Sequence, residues 1–76
     1  MKPENAFGQA LRHFRKEIKL SQEKLSQESG LDRSYISLLE RGLRQPSLTS
    51  ILKLAKALKI TAANIITKVE SLLNEN

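Results

Sequence analysis

The sequence predicts an all-α fold, a compact five-helix domain. Three observations carry this. Apolar residues recur at helical spacing through the longer segments, and no segment alternates with the period of a strand. Residues that cap helix N-termini, Ser21, Asp32, Ser47 and Thr61, stand where four of those segments begin. Gly30, Gly42 and Pro46 fall between segments, where a helix must end and the chain must turn.

Taken in order, residues 1–5 read as a loose tail or a first cap. Phe7, Leu11, Phe14 and Ile18 then repeat at i, i+4, i+7 and i+11, one face of an amphipathic helix, with Arg12, Arg15, Lys16 and Lys19 off that face. His13 is the only histidine of a chain without cysteine, so it reads as a surface side chain rather than a metal ligand or base. Ser21 caps a second helix, Gln22 to Ser29, with Glu23 at its positive end. Gly30 takes the position where a helix end calls for positive φ. Asp32 caps a third helix, Arg33 to Arg41, which Gly42 ends. Leu25, Leu31, Ile36 and Leu39 hold these two helices together. Leu43-Arg44-Gln45-Pro46 is a connecting loop. After Ser47, a fourth helix repeats Leu48, Ile51, Leu52, Ala55 and Leu58, with Leu54 widening the stripe. Lys53, Lys56 and Lys59 lie on another side and read as solvated. Thr61 caps a fifth helix carrying Ala62, Ile65, Ile66, Val69, Leu72 and Leu73 at i, i+3, i+4 and i+7.

Two short helices, a glycine turn and a polar outer side on the second helix describe a helix-turn-helix at residues 21–42, a unit whose second helix fits the DNA major groove. The N-terminal residues of such a helix reach base edges, which singles out Arg33, Ser34 and Ser37. Arg33 can bond bidentately to guanine O6 and N7, whereas a serine discriminates weakly. An arginine at a helix N-terminus opposes the helix dipole, so helix stability alone does not account for it. Gln22 stands at a helix start, where backbone amides bind phosphate. Tyr35, Arg41, Arg44, Gln45 and Ser47 are the other candidates for the phosphate backbone, with a packing role open for Tyr35.

The same stretch resembles the DNA-binding domain of the lambda-repressor-like (Cro/C1-type, XRE) regulators. Leu20-Ser21-Gln22-Glu23, Leu25, Gly30-Leu31, Ser34-Tyr35-Ile36-Ser37, Leu39-Glu40-Arg41-Gly42, Arg44 and Pro46-Ser47-Leu48 carry the likeness. Leu52, Leu54-Ala55-Lys56-Ala57-Leu58 and Ile60 extend it, so that it spans residues 7–66. Within the family the segment from Gly30 to Ser37 is most similar to the controller proteins of restriction–modification systems. The resemblance implies a transcriptional regulator, base contacts at Arg33, Ser34 and Ser37, a phosphate contact at Gln22, and an ion pair between Arg15 and Glu40. It also implies a signal carried by the protein's own concentration at its own promoter. Ser26 and Ser29 depart from the family, which has Ala and a larger residue there, and so bear on how tightly the helices pack.

Composition narrows the function classes. Seventy-six residues fit one domain, 1–76, near the lower size at which a core folds unaided, with no room for a separate effector or protease domain. The absence of cysteine excludes disulfides and thiolate metal sites. No apolar run reaches the length of a membrane span and the N-terminus is no signal peptide, so the expected location is the cytoplasm. The net charge of +5 is concentrated in residues 33–59, which hold six Lys and Arg against the single acid Glu40. A basic patch that coincides with the motif is the footprint of a polyanion binder, here double-stranded DNA. No Gly-rich phosphate loop, metal cluster or activated nucleophile points to an enzyme, a cofactor or a small-molecule effector. Five short helices leave apolar side chains over, and Leu58, Ile60, Ile65, Ile66, Val69, Leu72 and Leu73, in the segment 58–73, are the expected homodimer interface. The competing reading is a cationic, antitoxin-like protein-interaction module that keeps the same fold.

Overall fold

The computed structural model describes residues 1–75, which form five helices and no strand: α1 (Pro3–Glu17), α2 (Gln22–Ser29), α3 (Arg33–Glu40), α4 (Leu48–Ala57) and α5 (Ala62–Leu73). Helix α1 begins earlier than expected, because Pro3 at its first position needs no hydrogen-bond acceptor and has its φ preset. Helix α3 ends at Glu40, and Arg41 is its C-cap.

The four expected caps each hold a backbone amide. Ser21 Oγ accepts from Lys24 N–H at 3.0 Å, and Asp32 Oδ2 from Ser34 N–H at 3.1 Å. Ser47 Oγ accepts from Ser50 N–H at 3.1 Å. Thr61 and Asn64 cap each other reciprocally, forming a capping box. Three helix ends share one closing geometry. The amide of Leu20 reaches Arg15 O, that of Leu43 reaches Leu38 O, and that of Ile60 reaches Ala55 O. The left-handed residue before each is Lys19 (φ 56°), Gly42 (φ 74°) and Lys59 (φ 61°), so two of these turns form without glycine.

Helix α1 packs on α3 and α5, α2 on α3 and α4, and α4 on α5. Leu11, Leu25, Ile36, Leu39, Leu54, Leu58 and Ile65 are fully buried between them. Each such side chain contributes about 1.5–3 kcal/mol by leaving water. Ile18, expected on the inner face of α1, lies exposed at its C-cap. The inner side of α4 is rotated from the expected stripe. Leu54, Ala55, Ala57 and Leu58 are buried together with Ser50, while Leu48 and Leu52 face outward at 72% and 54% exposure. α4 meets α2 on one side and α5 on the other, and Leu48 and Leu52 point at neither.

Gly8, inside α1, is buried against the last turn of α3. A Cβ there would stand 2.5 Å from Leu39 O and 2.6 Å from Glu40 O. Glycine in a helix interior costs about 1 kcal/mol relative to alanine, and here it allows two backbones to touch.

Candidate nucleic-acid interface

The turn between α2 and α3 is built by its own side chains. Gly30 supplies φ 76° at the C-cap of α2. Ser26 Oγ donates to Leu31 O at 2.5 Å, and Ser29 Oγ accepts from Leu31 N–H at 3.2 Å. The two serines that depart from the family pattern thus satisfy both backbone groups of Leu31.

Helix α3 is seated from behind. Ile36 and Leu39 enter the core, and Gly8 lets α1 touch the C-terminal turn. Arg15 reaches across from α1 with two parallel bonds, Nε to Glu40 Oε2 at 2.6 Å and Nη2 to Glu40 Oε1 at 2.9 Å. Its Nη1 donates to Leu20 O at 2.8 Å, so one guanidinium ties α1, the α1–α2 link and α3. Glu40 raises the Arg15 pKa, chiefly through the side-chain hydrogen bond between the two residues, against the opposing effect of burial.

The outer side of α3 differs. Arg33 and Ser34 are exposed and Ser37 is half-buried. Among the described residues Arg33 has no acid partner, and its guanidinium projects from the first turn of the helix. Ser34 bonds through both its amide and its hydroxyl to Asp32, which lowers the Asp32 pKa, the hydroxyl contributing most. With its proton given to Asp32, Ser34 Oγ would meet a base only as an acceptor. Arg41, Arg44, Gln45 and Ser47 continue the exposed polar surface through the loop to the start of α4.

Two phosphate candidates have polar atoms turned inward. Gln22 Nε2 donates to Glu40 Oε1 at 3.1 Å, which leaves one of its two amide protons for a ligand. The Tyr35 hydroxyl lies 3.1 Å from Ser50 Oγ. Lys53, Lys56 and Lys59 are exposed and, with Glu28 and Ser29, line an open groove of about 500 Å³.

The expected dimer segment needs correction. Leu58, Ile65 and Val69 are buried inside the domain, because α5 lies against both α1 and α4 and spends half its apolar side there. Ile60, Leu72 and Leu73 are half-buried against the same core. Ile66, 40% exposed, is the member of that set left outside. It borders a groove of about 310 Å³ formed with Pro3, Phe7, Pro46 and Ile51. The other large apolar side chains left exposed are Leu43, Leu48 and Leu52, around the start of α4, and Met1 and Ile18 elsewhere. Gly8, Ser50 and Leu52 escaped the sequence reading of the surface and its supports. Ser50 alone carried a signal, as a polar residue in register with Leu54 and Ala57.

A capped helix pair, a glycine turn, and a second helix with a polar, cationic outer side define a helix-turn-helix DNA-binding domain. The helix-turn-helix family model matches residues 11–65. Control protein C.BamHI of Bacillus amyloliquefaciens is 44% identical over 61 residues, covering 79% of this chain and 75% of that one. The crystal structure of the restriction–modification controller protein C.AhdI from Aeromonas hydrophila superposes with a TM-score of 0.80 at 52% identity, over 82% of this chain and 94% of that one. The biofilm regulator SinR, solved in complex with DNA, matches with a TM-score of 0.76 at 30% identity, over 79% of this chain and 97% of that one. The chain belongs to the helix-turn-helix family of DNA-binding transcriptional regulators. No helix among the described residues is long and apolar enough to cross a membrane.

Proposed function

We propose that this protein is a homodimeric, sequence-specific regulator that binds a pseudo-palindromic operator and governs its own promoter, in the manner of a restriction–modification controller. The observation that carries the reading is the division of α3. Its inner residues and its C-terminal carboxylate are all held, while Arg33 at its N-terminus is exposed and unpaired among the described residues. A helix fixed from behind and cationic in front suits base readout in the major groove. Arg33, Ser34 and Ser37 would read bases. Arg41, Arg44, Gln45 and Ser47, with the second amide proton of Gln22, would hold phosphates.

Self-association is supported by the exposed apolar side chains Leu43, Leu48 and Leu52 around the start of α4, because a patch of that kind on a small domain marks an interface. It adjoins the loop that follows α3, so a two-fold dimer formed there would set the two recognition helices in fixed relation, about 34 Å apart on successive turns of DNA. The names of C.BamHI and C.AhdI support the controller role. Selection of bound duplexes from a random-sequence library tests the function: a recovered inverted repeat present upstream of the protein's own gene is expected, and recovery of no preferred sequence overturns it. Sedimentation equilibrium at micromolar concentration tests the dimer. The wild type should sediment at twice the monomer mass and Leu52→Asp at the monomer mass; a monomeric wild type sinks the idea.

A further inference from the structure

Helices α3 and α4 both pack on α2, but α3 is otherwise held by α1 and α4 by α5. Among the described residues, the one hydrogen bond that joins them directly runs between the Tyr35 hydroxyl and Ser50 Oγ. Ser50 is the buried polar residue of an otherwise apolar core. Its Oγ also lies 2.9 Å from Ser47 Oγ, the N-cap of α4. The three hydroxyls form a chain from the middle of the recognition helix, through the interior, to the exposed start of the next helix.

Chemistry sets the direction of the protons. A phenol is far more acidic than an aliphatic hydroxyl and is the better donor, so Tyr35 donates to Ser50. Ser50 then donates to Ser47. Ser47 Oγ also accepts the Ser50 N–H at 3.1 Å, so both its lone pairs are engaged and only its own proton remains. That proton is on an exposed residue and can only be donated outward. A phosphate oxygen is a pure acceptor and fits it.

We propose that Ser50 is a positioning residue for DNA recognition: it fixes α3 against the start of α4 through Tyr35, and it orients the Ser47 hydroxyl as an outward donor, so that base-reading and backbone-holding residues keep one register. This deepens the DNA-binding reading above and rests on it. A merely structural serine behaves differently. Ser50→Ala leaves the half-buried Tyr35 hydroxyl without this partner, but alanine is the better helix former, so the variant keeps the fold. It nevertheless loosens the register, and specific recognition depends on register where random binding does not.

The test measures affinity of the wild type, Ser50→Ala, Tyr35→Phe and the double variant on two duplexes at fixed salt. One duplex carries the site that the wild type selects from a random library; the other is of unrelated sequence. Each single variant should bind the selected site roughly 3–10-fold more weakly; Tyr35→Phe should leave affinity for unrelated DNA within about twofold of the wild type, and Ser50→Ala, which also frees the Ser47 hydroxyl, should lose less on unrelated DNA than on the selected site. The double variant should be no weaker than the weaker single one, since both break the same link. Multiplying effects in the double variant, equal losses on both duplexes, or an unchanged preference in Ser50→Ala would each overturn the proposal while a discriminating wild type leaves the regulator reading standing. A wild type that prefers neither duplex overturns both.

Discussion

Arg15 and Glu40 are separated by 25 residues and joined by two hydrogen bonds, the shorter 2.6 Å. Their side chains are 11% and 4% exposed. Glu40 accepts from Gln22 as well, so the carboxylate collects donors from α1 and α2 at the end of α3. Removing Arg15 would leave a buried carboxylate with one neutral partner. Arg15→Ala should destabilise the domain by about 3 kcal/mol, at the lower end for a broken buried pair because some water reaches it. Replacing both residues together, as in Arg15→Met with Glu40→Leu, should cost less than Arg15→Ala alone. Urea unfolding of the three proteins checks both statements, and a double variant weaker than Arg15→Ala would show that the pair carries no such penalty.

Arg33 and Arg44 should fail differently when replaced by alanine. Loss of Arg33 should cost about 1–3 kcal/mol per half-site and relax the preference at one base pair. Loss of Arg44 should weaken selected and unrelated DNA alike and flatten the salt dependence by about one unit of slope per lost phosphate contact. Both are exposed, so melting should hardly change. Salt titrations on the two duplexes decide it; the opposite pattern would mean that the groove-facing side is misassigned.

The three glycines should rank in a definite order on replacement by alanine. At Gly8 the new methyl would meet the backbone of Leu39 and Glu40, which cannot give without moving α3, and a loss of about 1–3 kcal/mol is expected. At Gly42 it would meet the Asn5 side chain, which can swing away, and the Asn5 Cα at 3.2 Å, in a left-handed backbone, so the penalty should be smaller than at Gly8. At Gly30 nothing lies within 4 Å, and only the left-handed backbone resists, at about 1 kcal/mol. Lys19 and Lys59 already occupy that conformation in this chain. Thermal melts of the three variants would expose any other order.

The cap of α3 should be acid-sensitive. Ser34 holds the Asp32 pKa below its ordinary value, so folding favours the charged carboxylate. The stability it gives is complete above the unfolded value, about 3.9, and is lost as pH falls through the lower folded value. Asp32→Ala should therefore melt earlier than the wild type at neutral pH, with the gap closing in strong acid. Melting of both proteins from pH 7 down to about 2 measures it; a gap constant with pH would mean that the carboxylate's charge plays no part.

The caps and turns were legible in the sequence because they act locally. Ser21, Asp32, Ser47, Thr61, Gly30 and Gly42 each act on backbone only a few residues away, so residue type and spacing suffice. The face of α4 was not legible. Leu48 and Leu52 repeat as regularly as Leu54 and Leu58, and only the positions of α2 and α5 decide which pair is covered. The same holds for α5, where one apolar stripe was read as a dimer surface although Ile65 and Val69 serve the domain's own core. The close approach at Gly8 and the hydroxyl chain through Ser50 join residues far apart in sequence, and spacing carries no trace of such partners. On the outer side of α3 the residue types stood out, but Tyr35 and Gln22 are turned partly inward by partners on other helices.

The seating of α3 from behind has a consequence for how such a protein diverges. Its anchors, Ile36, Leu39 and Glu40, are different residues from Arg33 and Ser37 on the outward side. Exchange of those two outward residues leaves every anchor in place, so a lineage can change the sequence it reads without first losing its fold. Ser34 is less free, because its hydroxyl is bound to Asp32 at the helix cap. Retargeting through Arg33 and Ser37 is therefore open by single mutations, whereas a change at Ser34 also alters how the helix begins. Drift in binding specificity among proteins built this way should be concentrated at the first two positions and slower at the third.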